Sequence, residues 1–165
     1  MAIRKIRTIG DEILRKHCKP VKEITPRITE LIGDMFETMY DSNGVGLAAS
    51  QVGVLKQIVV LDVEDGNQYV LINPEILETR GSQTGPEGCL SVPGKSGIVT
   101  RPEYVKIKAY DDAMEPYELE GEGLLARAIC HECDHLNGDL YVDKVEGELE
   151  DVTPDEEEEE GEVEE

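Results

Sequence analysis

An α+β fold is predicted for this chain of 165 residues, and three observations predict it. Two segments, one around residue 33 and one around residue 130, carry apolar residues at helical spacing. Segments with strand character lie between them, either β-branched or alternating apolar with polar side chains. No regular helical pattern separates these strands, so the βαβ alternation of a doubly wound fold is missing.

Taken in order, Asp11–His17 reads as a short helix. The first strong helix is Pro26–Asp41. Thr25 can cap it, Pro26 suits the first turn, and Ile28, Leu31, Ile32, Met35, Phe36 and Met39 recur on one face. That stripe reads as core, and Asn43-Gly44 ends the element. Gln57–Val63 is a β-branched run and Tyr69–Asn73 a second, while Tyr104–Tyr110 alternates Val105, Ile107 and Ala109 against lysines. Gly- and Pro-rich stretches around Gly81–Pro86 and Pro93–Gly97 lie between these runs. The second strong helix covers Glu122–Asn137, seated by Leu124, Leu125, Ala128, Ile129 and Leu136 and stopped by Gly138.

Charge divides the chain. Residues 146–165 hold thirteen of the 37 acidic residues and no Lys or Arg; the remaining 24, set against 16 basic residues, leave a net −8 on residues 1–145. A single catalytic domain over 1–146 is expected, followed by an acidic, disordered tail over 147–165, where self-repulsion exceeds any apolar burial. No basic stripe or aromatic platform points to direct nucleic-acid binding, and no apolar run reaches membrane length. The N-terminus shows no signal-peptide pattern, so a cytoplasmic protein is expected, with its four cysteines (Cys18, Cys89, Cys130, Cys133) as free thiols or ligands.

Chemistry concentrates in His131-Glu132-Cys133-Asp134-His135, which uses two of the chain's three histidines. On a helix, His131 and His135 lie about 40° apart on one face, one turn apart, and can grip one metal ion. Glu132 lies at the edge of that face, where a general base for water belongs. A catalytic site needs a third protein ligand and an open position. The extended metalloprotease pattern His-Glu-x-x-His-x-x-Gly-x-x-His is followed as far as Gly138 but meets Tyr141 where its last ligand should stand. Cys130 and Cys133 project to another face of the helix and read as buried small residues, and His17 and Cys18 read as spectators. Cys89 remains as the thiol candidate.

Three motifs then carry a resemblance: Gly44-Val45-Gly46-Leu47-Ala48-Ala49-Ser50-Gln51, Glu87-Gly88-Cys89-Leu90-Ser91, and His131-Glu132-x-x-His135. In order and separation they resemble those of the peptide deformylase family, and the similarity covers about residues 3–145. It implies mixed or antiparallel sheets packed around a C-terminal helix that carries the histidines. It further implies Cys89, His131 and His135 as ligands of one divalent ion, usually Fe(II), with Zn, Ni or Co able to substitute. Glu132 is then the general base, and the Gln51 amide with the Leu90 N–H stabilises the oxyanion. The substrate is an N-formylmethionyl nascent chain met near the ribosome. It pairs with Val45, Gly46 and the Glu87–Leu90 segment, Gly88 included, and its Met side chain enters a pocket of Val45, Leu90, Leu124 and Ala128. Glu87 and Arg101 are expected to pair near a ligand, with Asp134 anchoring the helix. Gly44–Ala49 also matches the loose dinucleotide pattern, but it follows a helix and leads to a strand, the reverse of what that fold needs.

Two departures from the family stand out. Arg127 occupies a position where many relatives carry an aliphatic residue at the pocket rim. The acidic C-terminus replaces the basic helix with which some bacterial relatives dock on the ribosome. The alternatives are an endopeptidase built on the same helix and a non-catalytic metal-binding module whose acidic tail recruits a basic partner.

Overall fold

The computed structural model describes residues 2–152. Helix α1 is Pro26–Asp41 and helix α2 is Leu124–Leu136. The strands are β1 (Gly46–Ala48), β2 (Ile58–Leu61), β3 (Tyr69–Arg80), β4 (Gln83–Cys89), β5 (Val92–Arg101), β6 (Tyr104–Tyr110), β7 (Pro116–Glu122) and β8 (Glu146–Asp151). All strand pairs are antiparallel, in a five-stranded sheet ordered β1-β2-β3-β6-β7 and a three-stranded sheet ordered β4-β5-β8. The fold is α+β.

The larger sheet lies between the two helices, which explains the β2 sequence. Ile58 and Val60 face α1 with Leu47 and Ile72, while Val59 and Leu61 face α2 with Ala48 and Leu71. Both faces are covered, so four consecutive apolar residues are all fully buried instead of alternating with polar ones. Each such side chain contributes about 1.5–3 kcal/mol relative to exposure. The α1 stripe supplies Ile28, Leu31, Ile32, Met35 and Met39 to one cluster, and α2 supplies Ala126, Ile129, Cys130, Cys133 and Leu136 to the other. Thr25 caps α1 by accepting from the Ile28 N–H.

Several expectations need correction. The Gly/Pro stretches around residues 81–86 and 93–97 are largely strand: β4 and β5 pair from Gln83↔Arg101 to Cys89↔Val92. Pro86 is tolerated because β4 is a sheet edge, where a missing N–H breaks no second ladder. β7 was not anticipated, although Tyr117 and Leu119 alternate with Glu118 and Glu120. Those acids face Lys108 and Lys106 of β6, which meets Glu75 and Glu78 of β3 on its other side. The Asp11–His17 helix is a single 3₁₀ turn, Glu12–Arg15. The domain boundary placed at 146 falls at the start of β8, which pairs with β5 through Ser96↔Glu150 and Lys95↔Asp151. An acidic edge strand is stable there because backbone pairing and the Lys95–Asp151 ion pair offset the charge density. The acidic segment beyond Val152 lies outside the described residues.

Candidate metal centre

Helix α2 brings His131 and His135 to one face, with ring centroids 5.0 Å apart. β4 delivers Cys89 opposite them, where the β4–β5 register breaks between Glu87 and Cys89. The Cys89 Sγ lies 3.2 Å from the His135 Nε2, and one donor atom from each of Cys89, His131 and His135 lies within 4.8 Å of the others. This is the only such cluster of three among the described residues. Cys130 and Cys133 are buried in the core on the other side of the helix, where burial pushes the Cys130 thiol up to about 11 and that of Cys133 higher still.

Glu87, buried on β4, holds His131. Its Oε2 sits 2.6 Å from the His131 Nδ1, which leaves Nε2 as the free ligand atom when Nδ1 donates the proton. Arg101 grips the same carboxylate with two donors, at 2.7 and 3.2 Å, and reaches Asp134 at 2.6 Å. The expected Glu87–Arg101 pair is therefore present, and the Arg101–Asp134 contact, which was not expected, ties it to α2. Burial alone would raise the Glu87 carboxyl, but hydrogen bonds from His131 and Arg101 outweigh it and bring it down to about 2. Arg127 borders the cleft, as its rim position implies, but not as a free side chain. It is buried, and its Nη1 donates to the Glu87 Oε1 at 2.8 Å.

Glu132 is 4 % exposed, and burial pushes its carboxyl up to about 7. Its Oε1 has no hydrogen-bond partner among the described residues. Gly46 makes the space it occupies: a Cβ there would fall 2.7 Å from the Glu132 Oε2. Gln51 is buried beside Cys89. Its Oε1 accepts from the Ala48 N–H at 2.9 Å, which turns the NH₂ group toward the Ser91 Oγ at 3.0 Å and the Cys89 Sγ at 3.6 Å. Ser91 escaped sequence reasoning although it closes the Cys89 motif. Tyr141, the residue that failed as a ligand, stacks on His131 with ring centroids 6.0 Å apart.

These side chains border a cleft of about 710 Å³. Every predicted site residue lines it except His135, which lies fully buried behind the others: Val45, Gly46, Gln51, Gly88, Cys89, Leu90, Leu124, Ala128, His131 and Glu132 are all there. Val45 and Leu124 are exposed at its mouth, while Ala128 is buried in its wall. β1 and β4, from which Gly46 and Cys89 come, are both sheet edges.

The donor set fits a divalent ion. Burial disfavours charge on His131, yet Glu132, Cys89 and Glu87 outweigh it and hold His131 well above its usual value. His135 is brought down to about 3 by burial, with the charge of His131 adding to the effect. One thiol and two imidazoles whose donor atoms lie within reach of one another, with Glu87 on the His131 Nδ1, are a set that a divalent ion accepts. A thiol and two imidazoles converging beside a free buried carboxylate, open to a cleft, define a hydrolase that works with a divalent metal ion.

Comparison with known proteins gives the family. Residues 3–150 match the model of the polypeptide deformylase family. The chain belongs to that family, and its activity is the removal of the N-formyl group from nascent polypeptides. It is 65 % identical over 162 residues to the peptide deformylase of Lachnoclostridium phytofermentans, covering 97 % of this chain and 99 % of the relative. It is 64 % identical to that of Agathobacter rectalis, over 93 % of this chain and 96 % of the relative. Among solved structures, a peptide deformylase from Legionella pneumophila superposes with a TM-score of 0.85 at 49 % identity, covering 87 % and 86 % of the two chains.

Proposed function

We propose that Cys89, His131 and His135 hold the ion, Fe(II) in the cell, and that Glu132, Gln51 and the Leu90 N–H act on the formyl group of an N-formylmethionyl peptide. One thiolate with two imidazoles also accepts Zn, Ni or Co. The ion supplies Lewis acidity to the formyl oxygen and to water.

The chain's own groups perform the remaining steps. Glu132 takes a proton from water as its oxygen adds to the formyl carbon. The Gln51 Nε2 and the Leu90 N–H donate to the oxygen that gains charge; one such donor is typically worth about 2.7–4 kcal/mol. Glu132 then passes its proton to the amine nitrogen as the C–N bond breaks, releasing formate and a free N-terminus. The two sheet edges, through Val45-Gly46 and Glu87–Leu90, pair with the extended peptide, and Val45, Leu90, Leu124 and Ala128 receive the Met side chain. The free thiols of all four cysteines and a nascent-chain substrate support a cytoplasmic site of action near the ribosome. No helix among the described residues is long and apolar enough to cross a membrane.

The observation that carries this reading is the convergence of Glu132 and the Gln51 amide on the Cys89–His131–His135 cluster within one cleft. Anaerobic protein loaded with Fe(II) or Ni(II) is expected to release formate from formyl-Met-Ala-Ser. Internal cleavage without preference for formyl-Met, or no formate at all, overturns it. Glu132→Ala is expected to keep its metal and lose roughly 100- to 10,000-fold in kcat.

A further inference from the structure

We propose that Arg127 is a positioning residue for the metal ligand His131, acting through Glu87. This rests on the metal-site reading above. Arg127 stands one helical turn before His131 on α2, yet its guanidinium turns away from solvent. It donates to the Glu87 Oε1 at 2.8 Å and to the Val99 carbonyl at 3.1 Å, with longer contacts to the Gln83 side-chain and backbone oxygens at 3.4 and 3.5 Å. One buried cation thereby joins α2 to β4 and β5, the strands that set Cys89 opposite the histidines.

Glu87 is the hub. Its Oε2 is committed to His131 at 2.6 Å and to Arg101 at 2.7 Å, whereas Oε1 is held by Arg127 at 2.8 Å and more loosely by Arg101 at 3.2 Å. Arg101 alone holds Oε1 only through its longer contact, so Arg127 supplies the short bond that fixes the carboxylate plane and with it the imidazole. Arg101 must also serve Asp134, so it does not balance Glu87 alone. Both arginines meet the buried Glu87, and Lys144 also lies 3.9 Å from the partly exposed Asp134. Without Arg127 the buried Glu87 loses one of its two guanidinium partners, and its Oε1 loses the short one. Loss of a group that orients a metal-bound histidine typically costs ~10–100-fold in metal affinity.

The test reads the loss of Co(II) from the full-length protein to an excess of chelator, following the thiolate-to-cobalt absorption, in four proteins: parent, Arg127→Met, Glu87→Gln and the double variant. Arg127→Met is expected to lose metal ~10-fold or more faster than parent, but within about twofold of its background when Glu87 is already Gln. Arg127→Lys, which keeps the charge and one contact, is expected to fall between parent and Arg127→Met, and it answers the question if Arg127→Met does not fold. Equal metal loss in Arg127→Lys and parent, or an Arg127→Met effect of the same size in both Glu87 backgrounds, overturns the proposal. The thiolate absorption of the cobalt-loaded parent tests the metal-site reading separately, because its absence would sink that reading whatever Arg127 does.

Discussion

At the scale of single residues, the site is a set of buried charges that are individually costly and mutually compensated. Glu87 is the clearest case. Its carboxyl stands at about 2 in the folded protein against an ordinary value of 4.5. A depressed acid contributes stability that is fully present above the unfolded value and is lost as the pH falls through the folded one. Metal-free protein is therefore expected to lose at most about 3 kcal/mol of unfolding free energy between pH 5 and pH 2 on account of this group. Glu87→Gln is expected to flatten that part of the profile. Urea midpoints at pH 6, 4 and 3 check it, and parallel profiles for variant and parent would show that Glu87 is not responsible. In the sequence the histidine pair and Glu132 stand out by helical spacing and Cys89 by elimination, while their joint roles come from the family resemblance. The Arg127–Glu87 contact is not legible there, because a residue one turn from His131 reads as pocket rim and nothing local points to a partner on β4.

At the scale of elements, small residues decide where functional atoms fit. β1 crosses α2 so closely that Gly46 leaves no room for a side chain: an added Cβ would fall 2.7 Å from the Glu132 Oε2 and 2.8 Å from the Leu61 Cδ2. Gly46→Ala is expected to retain metal but displace the carboxylate, lowering kcat roughly 100-fold, as displacements of about 1 Å typically do. Turnover near the parental rate would show that the helix yields instead. Gly138 terminates α2 for a related reason. Its φ is +81°, and a Cβ would fall 2.4 Å from the Arg15 carbonyl, so the stop read from sequence is also a point of close backbone approach. Helices were read most accurately, α1 to the residue, because their periodicity and caps are local. Strands β4, β5 and β7 were missed or left as Gly/Pro-rich intervals because pairing across a sheet leaves little mark on either strand alone.

At the scale of the whole molecule, the catalytic body does not stop where its composition turns acidic. β8 supplies an edge to the smaller sheet, and Val152, whose N–H donates to the Gly94 carbonyl at 2.8 Å, borders the cleft. Truncation after Glu146 is expected to lower Tm by several degrees, at about 2–4 °C per kcal/mol for a chain of this size. Truncation after Val152, which keeps β8 whole, is the reference for that loss. Equal Tm values for both truncations would mean that β8 contributes nothing to stability.

Sequence by itself determined the fold class, both long helices, the family and the candidate cluster of Cys89, His131 and His135, because each rests on local periodicity or on motifs whose spacing the chemistry constrains. Only the tertiary structure decided which face of β2 meets which helix, that Arg127 turns inward to Glu87, and that the acidic stretch begins as a strand. The last two depend on partners 28 to 56 residues away, and local pattern carries no record of the burial and charge pairing that such contacts impose.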